Sequence, residues 1–476
     1  MTSTTGGAEE ARTGPGWSRP VALVVAAAFF MENLDATILS TATASVASDF
    51  GVQPAQLGIA VTAYLVAVAA FIPLGAWLAE RWGARRVFLA AVVLFTLASV
   101  ACALSTGLVG LTAARVVQGL AGSMMVPIGR LIVLRSTEKA ELVRAIAYLT
   151  WPALVAPIVA PLIGGLLTEH LGWQWVFLVN VPVGAALLVA AWRVVPSPEV
   201  GDRQPLDVVG LLLVVLAVVS LVVASELLGG PATLGLGAGL VVVAVASGTG
   251  AVRWFRRVAH PLLDLAAFRI GSFRVTNLSG SLYRAVVNGV PFLVPLLLQD
   301  GFGWSPVEAG LMLMWVFVGN LAVKPLTTPL LRRVRVVPVI VGATVGLAAT
   351  FVAAAAIGPA TSPVLVAAVL LLSGVFRSVG FTAYNTLQFA DVPGPMIAPA
   401  NAIASITSQL AVGLGVAVTA LAVRVADTVA AGHAGTTPAT GYQAALVVLA
   451  VLALLSLVEG LRLPRGTGEA LRTRAS

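Results

Sequence analysis

The chain has 476 residues, of which 59% are hydrophobic and only 10% are charged, with a net charge of +8. Soluble globular domains usually carry about 25% charged residues, so this composition excludes a water-soluble fold. The basic residues are scattered over short connectors and form no single patch, which speaks against nucleic-acid binding. The single cysteine, Cys102, excludes an internal disulfide and a cysteine metal cluster.

Apolar runs of about 18 or more residues recur along the whole chain after a polar start. At about 1.5 Å per residue, each run is long enough to cross a hydrocarbon core of roughly 30 Å as a helix. The sequence therefore predicts an all-α integral membrane protein with fourteen transmembrane helices. The predicted spans are 20–43, 56–78, 86–105, 108–130, 142–166, 174–195, 207–226, 232–250, 275–298, 306–328, 336–357, 363–387, 398–422 and 441–461.

The connectors between the spans carry basic residues mainly on one side. Cytoplasmic loops of membrane proteins are enriched in lysine and arginine. Placing the N-terminus in the cytoplasm brings the clusters at 81–86, 135–144, 253–274 and 332–335 to that side and leaves only Arg424 on the other. Both termini are therefore predicted to be cytoplasmic. Arginine greatly exceeds lysine, as in GC-rich bacteria, so we expect a multi-pass protein of the bacterial cytoplasmic (inner) membrane.

A weak internal repeat relates the first six spans to the last six. The predicted organisation is a disordered cytoplasmic tail at 1–19, an N-terminal six-helix bundle at 20–200, an inserted helix pair at 201–252, a cytoplasmic connector at 253–274, a C-terminal six-helix bundle at 275–462 and a cytoplasmic tail at 463–476. The inserted pair consists almost entirely of Val, Leu, Ala and Gly, and is expected to face lipid and carry no chemistry. Two related bundles around a midplane site are typical of alternating-access transporters.

The connector between the second and third spans combines glycines, one acid and several arginines. Glycines permit a tight turn and close helix contact, and an acid can accept hydrogen bonds from the N-terminus of a neighbouring helix. An ordinary basic loop is the simpler alternative. The pattern resembles the G-x-L-A-D-R-x-G-x-R-R signature of the major facilitator superfamily, which implies a role in conformational gating. The residues concerned are Gly75, Glu80, Arg81, Gly83, Arg85 and Arg86.

The fourth span places Arg115, Gln118, Gly119 and Gly122 on one helical face. A charged group therefore lies beside a flat surface against which another helix can pack. The stretch from Leu111 to Gly119 resembles the second signature of the same superfamily, L-x-x-x-R-x-x-Q-G. The resemblance implies that Gln118 and Gly119 take part in gating.

The fifth span ends with Pro157, Pro161, Gly164 and Gly165. This stretch resembles the antiporter signature G-x-x-x-G-P-x-x-x-G-P-x-x-G-G, whose small residues let helices rock closely together. Several glycines of that signature are alanine here, so packing is preserved better than flexibility. The resemblance implies that these four residues also serve gating.

In the first span, residues 33–38 resemble the L-D-x-T-I opening of the 14-helix drug:proton antiporters, the QacA-like group, and the likeness extends through 172–184 and 301–314. Residues 124–130 and 385–387 look most like its MdtD-like branch. The resemblance implies the major facilitator fold, with two six-helix bundles and two inserted central helices. It also implies proton-coupled efflux of drugs or other small molecules, driven by the proton gradient without a cofactor.

Ionisable side chains inside spans are costly and indicate functional sites. Glu32 and Asp35 are three residues apart on one face of the first helix, and Arg115 lies at nearly the same depth. Such a cluster can gain and lose a proton as its surroundings change. Because the two acids would titrate as a unit, the sequence does not assign the proton to either. The alternative is a static salt bridge between the first and fourth helices.

Further candidates for substrate binding lie mainly in the second bundle. Because they include arginines, anionic, zwitterionic and amphiphilic substrates all remain open. A symporter or facilitator for an organic anion or metabolite is the nearest alternative function. An enzyme or receptor is disfavoured because the three histidines sit singly in loops, and neither a metal site nor an oligomer is expected. The polar candidates are Arg284, Asn288 and Arg377, and the aromatic ones are Tyr64, Tyr283, Trp315 and Tyr384.

Overall fold

The computed structural model describes residues 19–138, 141–196, 205–227, 233–430 and 439–460. All regular secondary structure in these ranges is helical. The predicted tails at 1–19 and 463–476 lie outside the described residues, except for Arg19 at the start of the first helix. The fold is therefore described for the membrane-spanning part of the chain.

Helices occupy all the predicted spans. The first bundle consists of α1 (Arg19–Phe50), α2 (Gly58–Trp82), α3 (Ala84–Ala103), α4 (Leu108–Arg135), α5 (Leu142–His170) and α6 (Trp175–Val194). The inserted pair is α7 (Val208–Leu227) and α8 (Leu234–Phe255). The second bundle consists of α9 (Gly271–Leu296), α10 (Pro306–Ala322) with its continuation α10b (Lys324–Arg333), α11 (Val336–Ala355), α12 (Pro363–Ala390), α13 (Ile397–Ala430) and α14 (Thr440–Leu455).

Among the described residues, eleven helices are long and apolar enough to cross a membrane, and α7 adds a shorter apolar stretch, Val208–Ala224. Helices α5 and α13 cover the two remaining predicted spans. The prediction of an all-α membrane fold is confirmed. Helix α1 runs past its predicted end and continues to Phe50, because the first left-handed residue, Gly51 with φ of +64°, comes only there.

The two bundles use the same pattern of helix packing. In the first bundle α1 packs on α5, and α4 packs on both α2 and α3; in the second, α9 packs on α13, and α12 packs on both α10 and α11. Glycines allow two equivalent contacts. Gly119 of α4 lies against the backbone of Tyr64 in α2, and Gly374 of α12 lies against the backbone of Val316 in α10. The structure thus confirms the two related bundles.

The bundles meet at the end of the molecule that carries the basic connectors, called here the basic end. Helix α13 contacts α2 and α4 along one seam, and α5 contacts α10, α10b and α12 along the other. A single apolar cluster joins Ala69, Ile72 and Leu134 of the first bundle to residues of the second. Among the described residues, the apolar cluster around Leu34 and Trp173 near the opposite end contains first-bundle residues only.

The inserted pair does not face lipid alone. Helix α7 packs against α2 and α13, one from each bundle, and Val218 is buried there. Asp207 fixes the start of α7, because its carboxylate accepts hydrogen bonds from the indole of Trp254 at 2.9 Å and from the backbone N–H of Leu262 at 3.2 Å. The expectation of an entirely lipid-facing pair is wrong for α7, since apolar composition does not distinguish lipid from a neighbouring helix.

Candidate functional site

The carboxylate of Asp35 lies at the centre of a fully buried polar network in the first bundle. Its Oδ2 accepts from Nη1 of Arg115 at 2.5 Å, and its Oδ1 accepts from Gln118 at 2.9 Å and from Asn180 at 2.8 Å. Gln118 and Asn180 also donate to the hydroxyl of Ser99, at 2.8 and 3.3 Å. These five side chains come from α1, α3, α4 and α6, so the network joins four helices of the bundle.

Arg115 is held by more than its carboxylate partner. The same Nη1 donates to Oε1 of Gln118 at 2.7 Å, and the guanidinium carbon lies 4.2 Å from the ring centroid of Tyr64 and 5.8 Å from that of Phe177. Its Nε and Nη2 atoms are buried without a hydrogen bond among the described residues. Aromatic faces stabilise a desolvated guanidinium, so Arg115 is enclosed by one acid, one amide and two rings.

Glu32 lies one helical turn before Asp35 but does not join its network. Its Oε2 is buried and has no hydrogen-bond partner among the described residues, and the same is true of the Tyr64 hydroxyl. Both groups face Gly122 of α4, where an added Cβ would lie 3.5 Å from each. The absence of a side chain at Gly122 therefore leaves room for a carboxyl group and a phenol with unused hydrogen-bonding capacity.

The structure thus separates the two acids that the sequence treated as one cluster. Asp35 and Arg115 are in contact, as their matching depths predicted, and no described side chain donates to Glu32 Oε2. Asp35 has three donors, and one of them, Arg115, carries the opposite charge. Glu32 is partly exposed as a residue, and its buried Oε2 has no donor among the described residues.

Arg284 of α9 forms the corresponding polar network of the second bundle, without any acid. It is 2% exposed, and Nη2 donates to Asn385 at 2.9 Å and to Gln388 at 3.3 Å. Its Nη1 donates to the carbonyl of Thr276, eight residues earlier in α9, at 3.4 Å. The side chain therefore runs back toward the basic end, as helical side chains do, and in this conformation Arg284 does not pair with the acids of α1.

Tyr283 and Tyr384 pack on each other inside the second bundle. Their ring centroids are 5.1 Å apart, and both side chains are fully buried. The Tyr283 hydroxyl donates to the carbonyl of Phe376 at 3.1 Å, and that of Tyr384 donates to Ser456 at 3.4 Å. The structure thus places both tyrosines in helix packing between α9, α12 and the end of α14.

The remaining predicted binding residues are dispersed. Arg377 of α12 is partly buried and donates to the carbonyl of Val287 in α9 at 3.4 Å. Asn288 donates to the carbonyl of Arg284 in its own helix at 2.8 Å. Trp315 of α10 is 40% exposed. These three side chains do not converge with Arg284 on one point in this conformation.

Side-chain hydrogen bonds cross between the bundles at the basic end. Nη2 of Arg130 in α4 donates to Oε1 of Gln388 in α12 at 3.5 Å, and its guanidinium carbon lies 4.9 Å from the ring centroid of Phe389. Gln388 is also an acceptor for Arg284 and donates to Asn277 at 2.9 Å. Nearby, Asn401 of α13 donates to the carbonyl of Pro127 at 2.9 Å. Gln388 is therefore the shared partner of two arginines from opposite bundles.

The connector between α2 and α3 has the tight turn that its glycines predicted. Gly83 has φ of +89°, a left-handed conformation that favours glycine. Arg81 stacks over the ring of Trp77, and Arg85 donates to the carbonyl of Trp192 at the end of α6. Glu80 is exposed and lines a polar cavity that also borders Pro395 and Pro399 at the start of α13, without a hydrogen bond to that helix. Arg86 is exposed.

The glycines predicted to serve gating differ in their contacts. Gly119 touches α2 closely, since a Cβ there would lie 2.5 Å from the carbonyl oxygen of Tyr64, and Gly75 of α2 packs against Met124. Gly164 lies against Ile38 and Thr41 of α1, whereas Gly165 faces open space. The side chains of Pro157 and Pro161 lie outside the described residues.

Several network members carry no signal in the sequence that identifies them individually. Asn180 donates to Asp35, Ser99 accepts from Gln118 and Asn180, and Gln388 joins the two arginines. All three are polar residues within apolar helices, which is the one pattern that could have selected them. Lys324 of α10b is 1% exposed and donates to Thr382 at 2.8 Å. Among the described residues, no group of three metal-ligating side chains could hold a metal ion.

Curated relatives of the chain are found in enterobacteria. A protein of Cronobacter sakazakii, provisionally named multidrug resistance protein MdtD, is 36% identical over 403 residues, covering 84% of each chain. A protein of the same name from Salmonella heidelberg is 34% identical over 400 residues, covering 83% of this chain and 84% of the relative. Both relatives therefore resemble this chain over most of its length, as the MdtD-like motifs predicted.

Solved structures and a family profile agree with these relatives. The proton:xylose symporter XylE bound to 6-bromo-6-deoxy-D-glucose superposes with a TM-score of 0.65 at 15% identity, covering 94% of this chain and 96% of the symporter, which shows a shared fold. The profile of the Major Facilitator Superfamily matches residues 25–255 and 276–474. The chain therefore belongs to the major facilitator superfamily, a family of membrane transporters that bind small-molecule substrates.

Proposed function

We propose that this protein exports small molecules from the cytoplasm or the inner leaflet in exchange for protons, with Glu32 as the carboxyl group that carries the proton. The names of its MdtD relatives support multidrug substrates. The assignment of the proton to Glu32 rests on a difference between the two acids of α1. Asp35 has three donors, whereas the buried Oε2 of Glu32 has none among the described residues.

Glu32 has the surroundings that a proton-exchanging group needs. In the present conformation the neutral acid avoids the cost of an unpaired buried charge. Access of water or a cationic substrate group to Glu32 would stabilise the ionised form and release the proton. The adjacent Tyr64 hydroxyl can donate to the carboxylate once it forms, because it too has no partner among the described residues. Loading and release of a proton would thus follow the opening of the bundle.

The Asp35–Arg115 pair has a different role in this proposal. Its hydrogen bonds join α1, α3, α4 and α6, so it holds the helix that carries Glu32 at a fixed rotation. Arg115 also stacks on the ring of Tyr64, whose hydroxyl lies beside Glu32. A change in the protonation of Glu32 can therefore affect Arg115 through the Tyr64 ring. Because Arg115 belongs to a network that joins four helices, the packing of the bundle can change as well.

The contacts between the bundles support an alternating-access cycle. If the basic end is cytoplasmic, as its arginines indicate, the Arg130–Gln388 and Asn401–Pro127 contacts close the cytoplasmic side and the conformation is outward-facing. Inward opening requires these contacts to break. We place both termini in the cytoplasm, assign the protein to the inner membrane of a bacterium and expect it to act as a monomeric transporter without enzymatic activity or a cofactor.

Reconstituted transport tests the assignment of Glu32. Proteoliposomes containing the wild-type protein would be loaded with the pH dye pyranine, and proton movement would be followed after addition of fluorescent amphiphiles of positive, negative and zwitterionic charge. We expect Glu32→Gln to abolish substrate-dependent proton movement while downhill substrate transport continues. Glu169→Gln, which changes an exposed acid at the far end of α5, is the matched control and should leave both unchanged.

Two results would overturn this assignment. Normal proton exchange by Glu32→Gln would remove Glu32 from the coupling step, and loss of exchange in Asp35→Asn alone would transfer it to the other acid. Efflux that continues after collapse of the pH gradient and is unchanged in Asp35→Asn would refute proton coupling altogether. The alternative function, a symporter or facilitator for an organic anion or metabolite, predicts substrate and protons moving in the same direction in the same vesicles.

A further inference from the structure

A groove of about 590 Å³ opens between the two bundles at the basic end. Leu23 of α1 and Ala147 and Trp151 of α5 form one wall, while Lys324 and Pro329 of α10b form the other. Most of the remaining lining is apolar, and the polar side chains that line the groove besides Lys324 are Arg144, Tyr148 and Thr328. Its volume lies in the range of pockets that bind drug-sized molecules, about 300–1,000 Å³.

Lys324 has unused hydrogen-bonding capacity in this groove. An ammonium group has three donors, and Nζ has one partner among the described residues, the hydroxyl of Thr382 at 2.8 Å. No described acid lies within ion-pair distance of it, although the side chain is only 1% exposed. Buried charges in proteins are normally paired. The structure therefore shows a buried lysine that lines a largely apolar groove and has no acidic partner among the described residues.

We propose that this groove binds a drug-sized amphiphilic anion, such as a lipophilic carboxylate, whose charged group pairs with Lys324 and whose apolar part lies against Leu23, Trp151 and Pro329. The inference rests on the proposed export function, because the ligand is a substrate that reaches the protein from the adjacent leaflet. It adds a substrate class and an access site that are separate from Glu32 and the Asp35 network.

The depth of Lys324 favours a small amphiphile over a resident phospholipid. Lys324 lies nine residues before Arg333, the last residue of α10b, which corresponds to about 14 Å along the helix. Arg333, an exposed basic residue at the end of α10b, is of the kind that lies at the membrane boundary, where the phosphate of a phospholipid would lie. Arg144, which also lines the groove, lies near the start of α5. A single-chain or aromatic carboxylate can enter more deeply, and its charge would then meet Lys324.

The groove also links ligand binding to conformation. Its two walls belong to different bundles, so rocking of the bundles changes the distance between Lys324 and Trp151. A ligand that contacts both walls binds the two conformations with different affinity and shifts their populations accordingly. The site can therefore hold a substrate on the cytoplasmic side before the bundles reopen.

Equilibrium binding to the full-length protein tests the proposal without requiring transport. Tritiated dodecanoate at pH 8 would be titrated against protein in nanodiscs of neutral phosphatidylcholine, with dodecyltrimethylammonium of equal chain length as the cationic probe. We expect dodecanoate to bind at least tenfold more tightly than the cation. Lys324→Met should remove this preference, Lys324→Arg should keep it, and Ala147→Trp, which fills the groove from the opposite wall, should weaken the binding of both probes.

The controls separate this proposal from the export function. Binding would be repeated with Glu32→Gln, which should retain it, so loss of proton coupling and loss of the groove site are distinguishable. If Lys324→Met does not fold, Ala147→Trp and Lys324→Arg still decide the result. Equal affinity of wild type and Lys324→Met, a preference for the cation, or displacement of dodecanoate by phosphatidylglycerol in the disc would each overturn the proposal.

Discussion

The first bundle pairs its buried arginine with a carboxylate, whereas the second surrounds its buried arginine with neutral amides and carbonyls. Arg115 meets Asp35 at 2.5 Å, and Arg284 meets Asn385 at 2.9 Å. The helices involved are equivalent in the repeat, since α1 packs near α4 as α9 packs near α12. The same packing pattern therefore contains a neutralised charge in one half and an uncompensated charge in the other.

This difference indicates a division of labour between the bundles. A compensated pair with saturated hydrogen bonds can hold helices in one arrangement, and its main cost arises when one partner is removed. An arginine with neutral partners keeps affinity for an anion. Arg284, Arg377 and Lys324 all lack an acidic partner among the described residues. The second bundle is thus suited to receive negative charge, and the first to hold and release protons.

Breaking the pair in the first bundle should have the largest effect on stability. Arg115→Met leaves Asp35 buried with amide donors only, and removing one partner of a buried ion pair costs about 3–5 kcal/mol. Unfolding in detergent, followed by circular dichroism during denaturant titration, measures this loss. The double variant Asp35→Asn/Arg115→Met should regain most of it, because no unpaired charge remains. A single variant as stable as the wild type would show that the pair does not hold the helices together.

The contact between the bundles offers the next largest change. Gln388→Glu gives Arg130 and Arg284 a shared carboxylate, and hydrogen bonds to charged groups contribute about 1.5–3 kcal/mol. The closed basic end should become more populated, so that transport slows by about tenfold or more. Spin labels at the exposed positions Arg86 and Arg335, one in each bundle, would report this as a narrower distance distribution at the basic end.

The matched variant Gln388→Ala acts in the opposite direction. It removes the acceptor that both arginines share, so the label distances should lengthen and their distribution should broaden. If Gln388→Glu and Gln388→Ala leave the distances unchanged, the contact between Arg130 and Gln388 does not control closure. Arg130 and Arg284 would then have no part in the conformational change.

The sequence predicted the fold well because long apolar helices carry their own signal. Each predicted span has a helix, and the motif glycine Gly83 has the left-handed conformation that a tight turn requires. The meeting of Asp35 and Arg115 was also predictable, since a count along two rigid helices placed them at the same depth. These predictions use only local sequence patterns and the geometry of single helices. They succeed where the path of the backbone alone determines where a residue lies.

Contacts that depend on side-chain direction or on conformation could not be predicted in this way. Counting residues gives the depth of the Arg284 backbone, but its side chain extends back to the carbonyl of Thr276. Glu32 and Asp35 share a helical face, yet only Asp35 reaches the donors of α4 and α6. The contact between Arg130 and Gln388 belongs to one conformation of two bundles, which no local pattern encodes.

Two glycines test whether the bundles pack by the same rule. A Cβ at Gly119 would lie 2.5 Å from the carbonyl oxygen of Tyr64, and one at Gly374 would overlap the carbonyl of Val316. Gly119→Ala and Gly374→Ala should each cost about 1–3 kcal/mol, the usual effect of overpacking. Gly342→Ala in α11 is the control, because nothing lies within 4 Å of its added methyl group. Equal unfolding midpoints for all three variants would contradict close helix contact.

The smallest effect on stability is expected at Arg284, the counterpart of the first variant. Arg284→Met removes hydrogen bonds to Asn385, Gln388 and Thr276 but leaves no unpaired charge, because none of these partners is charged. The lost hydrogen bonds and the removed cost of a buried cation should offset each other to within about 1 kcal/mol. The same unfolding titration measures this change in stability. A loss of stability as large as that of Arg115→Met would contradict the proposed difference between the two bundles. If stability is unchanged while transport of anionic amphiphiles falls, the fold does not need the buried charge of Arg284, and its role is to bind the substrate.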